Sequence, residues 1–204
     1  LGILDAVRYK KEHPCVALVI DNHASIENSG KNWFSKHIIH SLFGRLVWRK
    51  AWDIADRIYN IAPNCSVFLE RYYRVPKCKM DLLPLCGVTL GQSEYNRRRT
   101  AARRKYGIDD EQLLFVHSGK MVQYKKPWDV IAAFDKCADE NAVLILSGKM
   151  DEETKSRTGE VIRRNSRIKT TGWLDGAELI DVLCAADVYI QGWSQSATVQ
   201  NAAC

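Results

Sequence analysis

Three stretches decide the fold: Leu113–Met121 (LLFVHSGKM), Ala142–Met150 (AVLILSGKM) and Asp187–Ser196 (DVYIQGWSQS). Each is a strand-like apolar run that leaves into a glycine-bearing turn. Two of the turns share the tetrapeptide Ser-Gly-Lys-Met, at Ser118–Met121 and Ser147–Met150. A helical pattern at Trp128–Cys137 follows the first turn, and another at Ala177–Ala186 precedes the third run. Strands alternating with helices of this length predict a parallel α/β sheet, which takes ligands at the carboxyl ends of its strands. Lys125 and Lys126 sit just past the first turn, so the expected ligand is an anion, foremost a nucleotide diphosphate.

The 204 residues suffice for one large domain or two small ones, and the apolar content with six tryptophans excludes a disordered chain. No apolar run reaches the length of about 18 residues that a membrane span needs. The chain opens without Met or a signal-peptide layout and stops where a helix is starting, so a fragment of a longer protein is expected. Seven cysteines, an odd number without a C-x-x-C pair, indicate neither a disulfide framework nor a zinc site and fit a reducing cytosol. Residues 1–88 hold 13 Lys and Arg against 8 Asp and Glu, whereas residues 89–204 hold 17 against 16. The basic excess thus belongs to the first half, and a net charge of +6 is a weak argument for nucleic acid.

Further along the chain, Val16–Ile20 reads as a buried strand opening into Asp21-Asn22-His23. Apolar spacing predicts a helical stretch from about Trp33 to Asn60, limited by Pro63. Ser66–Leu69 and Met80–Leu85 are strand candidates, with a helical turn at Glu70–Tyr73 between them. Pro84–Gly91 looks like a connection, and Glu94–Tyr106 like a basic helix ended by Gly107.

The ordered series of segments resembles glycosyltransferase family 4, retaining enzymes of the GT-B fold. It runs from Arg103-Arg-Lys-Tyr-Gly through Gly119-Lys120 and Lys125-Lys126-Pro-Trp-Asp-Val-Ile-Ala-Ala-Phe134 to Leu144-Ile-Leu-Ser-Gly, Thr171-Gly-Trp-Leu and Leu183-Cys-Ala-Ala-Asp-Val-Tyr-Ile190. Upstream, Asp21-Asn-His23 resembles the family's strand-end histidine, and Tyr73-Arg-Val-Pro through Leu85-Cys-Gly-Val88 its crossover between domains. The resemblance implies two Rossmann-like α/β domains with parallel sheets, both incomplete. Residues 1–88 would be the end of an acceptor-side domain with the crossover, and 89–204 a truncated donor domain.

What the resemblance implies chemically is sugar transfer from a nucleotide diphosphate sugar to a glycan or lipid-linked acceptor, with retention and without a cofactor or metal. Negative charge develops on the departing diphosphate, and cations fixed there lower the barrier. Lys120 and Lys125 have the family's five-residue spacing, with Gly119 and Lys126 beside them; solvated turn lysines are the plainer reading. Neither Ser-Gly-Lys-Met is a P-loop, because Met121 and Met150 stand where Ser or Thr is required. Lys149 in the second copy reads as a surface lysine. Ser194, Gln195 and Ser196 would cap the following helix or hold phosphate oxygens. Gln195 and Gln200 fall at or near two positions where the family carries glutamates. A glutamine can hydrogen-bond hydroxyls but brings no charge. A non-catalytic nucleotide- or glycan-binding protein on the same scaffold is therefore the alternative.

His23 would line the cleft near the donor sugar, the plainer reading being a loop histidine satisfied locally; Asp21 reads as a turn carboxylate. The region 33–60 mixes Lys36, His37, His40, Arg45, Arg49 and Lys50 with Trp33, Phe34, Phe43, Trp48 and Trp52. That mixture suits either a core helix with a basic face or peripheral contact with an anionic membrane. A cytoplasmic protein is expected, and the second reading of this region would place it peripherally at the membrane's inner face. Arg97–Lys105 is a second basic cluster, but no aromatics interleave and no nucleic-acid partner is expected.

Overall fold

The computed structural model describes residues 2–29, 38, 40, 43–192 and 197–204. The chain divides into two compact units, Leu1–Leu85 and Cys86–Cys204. No helix among the described residues is long and apolar enough to cross a membrane.

In the first unit, β1 (Val19–Asn22), β2 (Arg57–Asn60) and β3 (Met80–Leu82) form a parallel sheet in the order β1-β2-β3. Helices α1 (Gly2–Glu12) and α3 (Arg45–Ile54) pack on each other, and short α2 (Ile26–Ser29) and α4 (Pro63–Phe68) complete the set. The core is Ala55, Ile58, Phe68, Leu69, Tyr73 and Val75, with Trp48 and Trp52 packed against it. Trp48 stacks on Tyr73 at 5.3 Å between ring centroids. Burial pushes the Tyr73 phenol up to about 12. Its oxygen lies 2.6 Å from His40 Nδ1, while His40 Nε2 lies 3.0 Å from the Ser29 carbonyl. Because a carbonyl can only accept, Nε2 carries the proton and Tyr73 O–H donates to Nδ1.

Three expectations fail in this unit. The helix predicted to run to Asn60 stops at Ile54, where Ala55 turns extended (ψ 136), and Arg57–Asn60 is a strand. Ile54, Ile58 and Ile61 match helical spacing, yet Ile58 is a fully buried residue of a central strand, and four residues are too few for periodicity to decide. Asp56 sets the strand's start by accepting the Leu18 N–H at 2.7 Å and Lys10 at 3.1 Å. Ser66–Leu69 is not a strand. Pro63 at the first helical position opens α4, which runs on into a π-helical turn at Leu69–Tyr73. The Val16–Ile20 strand is shifted and not buried: β1 begins at Val19, and Val16 and Val19 are exposed, since among the described strands β1 pairs with β2 alone.

The second unit opens with α5 (Gln92–Tyr106), ended by Gly107 in the left-handed conformation (φ 61). There follow β4 (Leu113–Ser118), α6 (Pro127–Asp135), β5 (Ala142–Ser147), α7 (Glu152–Arg164), β6 (Ile168–Gly172), α8 (Gly176–Ala185), β7 (Val188–Tyr189) and α9 (Ala197–Ala203). The strands are parallel in the order β6-β5-β4-β7. All six residues of β5 are buried, as a strand covered on both faces requires. Leu114, Val116, Val143, Ile145 and Val182 form one core layer. Met121, Ile131, Phe134, Leu144, Leu146 and Ile168 form the other.

Helix α5 packs Ala102 and Tyr106 against the first core layer and is further held by charge. Arg99 donates to the carbonyls of Cys184, Ala185 and Ala186, and Arg103, 4% exposed, donates to Ala185 and to the Asp187 carboxylate. These guanidinium groups satisfy the last carbonyls of α8 and meet the negative end of its dipole. Asp187 also accepts Arg99 at 2.5 Å and the Leu114 N–H at 2.7 Å. Burial alone would raise this carboxyl, but the Leu114 N–H and the two arginines hold it below its ordinary 3.8. Arg98 pairs with Glu94 and Asp181, and Lys105 with Glu178. The basic cluster at 97–105 is thus engaged largely within its own unit.

Candidate functional site

Taken in chain order, the strands of the second sheet lie third, second, first, fourth, the order of a doubly wound nucleotide-binding sheet. The order reverses between β4 and β7, and a crevice opens outside the strand ends at such a switch point. The turn after β4 carries Gly119, Lys120, Lys125 and Lys126, so the sequence delivers its lysines to that place.

The local chain explains the turn's shape. Gly119 has φ 123, and its N–H donates to the Ser147 carbonyl at 2.9 Å. Gly148, at φ 142, faces it so closely that a Cβ there would stand 1.9 Å from the Gly119 carbonyl oxygen. The two Ser-Gly-Lys-Met copies leave the sheet side by side and in register, with Ser118 opposite Ser147 and Met121 bridged to Met150. The repeat is therefore a packing match between neighbouring strands. Met121 is fully buried, and its N–H donates to the Lys149 carbonyl. Lys149 itself is exposed.

Residues Gln123–Lys125 form a single 3₁₀ turn, and Lys126 (φ 47) precedes Pro127 at the first position of α6. Asp151 ties this turn to α7 by accepting both the Gln123 N–H and the Thr154 N–H that begins the helix. Hydrogen bonds from Thr154 chiefly, and from Gln123, hold the Asp151 carboxyl below its ordinary 3.8. Lys125 is half-buried, and its Nζ lies over Gly119, 3.9 Å from where a Cβ there would stand. Lys120 and Lys126 are exposed. Across the switch point, Gly192 lies against the Lys125 carbonyl, where a Cβ would come within 3.1 Å.

HepE of Anabaena in complex with UDP and glucose matches with a TM-score of 0.62 at 12% identity, over 93% of this chain and 49% of that one. WaaG, a glycosyltransferase involved in lipopolysaccharide biosynthesis, matches at 0.60 and 15%, over 96% and 59%. An E. coli trehalose-6-phosphate protein bound with UDP-2-fluoro glucose matches at 0.63 and 8%, over 98% and 53%. The fold is that of the GT-B glycosyltransferases. The chain spans about half the length of the structures it matches, from 49% to 59%. No protein-family model and no curated protein sequence matches it.

Within this GT-B fold the expected residues fall in several places. Gly119 and Lys125 come together at the switch point, with Lys120 and Lys126 on the same turn. Gln200 lies on α9, where its carbonyl abuts Gly87. Ser194, Gln195 and Ser196 lie outside the described residues, as do Trp33, Phe34, Lys36 and His37. His23 belongs to the first unit, just past β1; it is exposed, with Nε2 2.8 Å from the Asp21 carboxylate. Beside it Asn22, the last residue of β1, donates to Asn60, its partner at the end of β2, at 2.8 Å.

Two residues next to the lysines escape a reading of the sequence. His117 is 3% exposed, and its Nδ1 lies 2.9 Å from the Ile190 carbonyl. Burial lowers its pKa from the ordinary 6.5; the Ile190 carbonyl offsets part of that shift and the Lys125 charge adds to it. Ser118 Oγ is buried without a hydrogen-bond partner among the described residues. A polar Val-His-Ser-Gly ending on an otherwise apolar strand is the signal that could have found both. A cleft of about 430 Å³ opens among residues including Val88, Tyr95, Leu183, Asp187 and Asn201, and none of its lining residues belongs to the lysine turn.

Proposed function

We propose that the protein is a glycosyltransferase that moves a sugar from a nucleotide diphosphate sugar to a glycan or lipid-linked acceptor, with retention of configuration. The second unit would handle the donor and the first the acceptor. The observation that carries this reading is the lysine turn at the switch point of a doubly wound sheet. The fold shared with proteins bound to UDP, glucose and UDP-2-fluoro glucose supports it.

Breaking the glycosidic bond puts negative charge on the departing diphosphate. Lys120 and Lys125 would meet that charge, since cations fixed beside a developing anion lower the barrier. Gly119, lacking a side chain, lets the phosphates approach the backbone beneath Lys125 Nζ. Lys126 would add a third cation at the start of α6. Gln200 would contribute to the ribose through a neutral hydrogen bond.

The test is calorimetry with UDP and GDP on the intact protein, comparing wild type with Lys120→Ala/Lys125→Ala. Loss of two charge-assisted contacts should weaken the preferred nucleotide by at least about tenfold. Lys149→Ala, in the second tetrapeptide, should leave affinity unchanged. Equal affinity in wild type and the double variant would sink the assignment.

Gln200, at a position the family gives to glutamate, favours a second reading, a non-catalytic nucleotide- or glycan-binding protein on this scaffold. Release of UDP from a UDP-sugar by the intact protein, with or without acceptor, would count against it. The first unit offers a surface for an anionic membrane: Phe43 and Leu46 are 62% and 58% exposed beside the exposed Arg45, Arg49 and Lys50. Sedimentation with anionic vesicles that Phe43→Ser/Leu46→Ser does not reduce would remove that proposal.

A further inference from the structure

We infer that His117 is a positioning residue for the lysine turn, its ring joining the end of β4 to the segment by which β7 leaves the sheet. The inference rests on the nucleotide-site reading above and extends it to a residue outside the lysine series.

The ladder between β4 and β7 ends with the Ile190 N–H donating to the Val116 carbonyl at 2.8 Å. One residue on, the His117 side chain takes the Ile190 carbonyl at 2.9 Å. A carbonyl can only accept, so Nδ1 carries the proton and Nε2 is left as an acceptor. Lys125 acts on the same buried ring with a positive charge, which disfavours a second proton on the imidazole. Lys125 Nζ lies over Gly119, and the Lys125 carbonyl faces Gly192. The ring therefore touches one element and feels another: it bonds the Ile190–Gly192 exit and lies beside the turn that exit must meet. With this bond broken, the exit at Ile190 would be held less firmly to β4, and the approach of Gly192 to the Lys125 carbonyl would loosen.

His117→Asn, His117→Gln and His117→Leu separate this role from simple packing. Asparagine places an amide N–H near the position of Nδ1, glutamine near that of Nε2, and leucine supplies neither. The first readout is hydrogen exchange of the intact, ligand-free protein over residues 188–192; the second is UDP affinity. His117→Leu should speed exchange in that segment and weaken UDP, each by about tenfold, the loss expected for one hydrogen bond. His117→Asn should restore both to within about threefold, and His117→Gln should not. Unchanged exchange in His117→Leu, a rise spread evenly through residues 86–204, or equal behaviour of the Asn and Gln variants would overturn the inference. So would altered exchange with unaltered UDP affinity. Failure of the wild type to bind UDP would instead refute the nucleotide-site reading, and the ligand-free exchange arm distinguishes the two.

Discussion

Replacing Gly148 by alanine perturbs the crossing on which the site is built. A Cβ at this position would stand 1.9 Å from the Gly119 carbonyl oxygen and 2.8 Å from its carbon. Both are backbone atoms, so no side chain can swing aside, and the two turns must separate by about 1 Å or more. Overpacking of this kind costs about 1–3 kcal/mol. The positive φ of 142 adds about 1–3 kcal/mol of backbone strain for any residue with a side chain. The expected loss is therefore about 3 kcal/mol or more. In a urea titration with a slope near 2 kcal/mol/M, it lowers the midpoint by about 1.5 M. Gly159→Ala is the control: it lies in α7, a Cβ there meets only the far end of Arg163 at 3.8 Å, and the change should stabilise by about 0.5–1 kcal/mol. Circular dichroism follows the global transition, and hydrogen exchange over 113–121 and 142–150 reports the crossing itself. Gly148→Ala within about 0.5 kcal/mol of wild type, with unchanged exchange, would refute the reasoning.

Asp187→Asn should destabilise by about 2 kcal/mol. That is below the about 3–5 kcal/mol typical of breaking a buried pair, because the Asp187 side chain keeps 26% of its exposure and Arg103 retains carbonyl acceptors. The folded-state pKa of Asp187 is depressed below 3.8, so its stabilisation is present above 3.8 and lost as pH falls through the folded value; the variant should show a shallower acid-side loss in a pH series of urea titrations. Gly87→Ala would put a Cβ 2.3 Å from the Gln200 carbonyl oxygen and 2.7 Å from Cys204 Sγ, and should raise exchange over α9. Gly91→Ala, with nothing within 4 Å, should not.

The second unit was largely legible in the sequence, because its signals are long and of one kind. Leu113–Ser118 and Ala142–Ser147 are continuous apolar runs, α5 ends at Gly107, and α6 and α8 sit where apolar spacing predicts helices, whereas the more polar α7 and β6 were not foreseen. The first unit misled because its elements are short. Arg57–Asn60 is a four-residue strand whose isoleucine also fits a helical series, and Ser66–Leu69 has β-type composition inside a helix that Pro63 begins. At the site, glycine and lysine spacing marked the turn. Strand order could not be read from it, and without that order nothing places β7 beside β4. For the same reason the sequence could not show that the two copies of the tetrapeptide meet in register through Ser118–Ser147 and Met121–Met150. The arginines of α5 were visible only as charge; their partners, Asp187 and the last carbonyls of α8, are distant in sequence.

The most direct measurement of the central claim compares UDP with uridine by calorimetry on the intact protein, in wild type and in Lys120→Ala/Lys125→Ala. If the switch-point turn grips a diphosphate, wild type should bind UDP at least about tenfold more tightly than uridine, and the double variant should lose most of that difference while keeping its affinity for uridine. A difference that persists in the double variant, or wild-type protein that binds UDP and uridine equally, would contradict it.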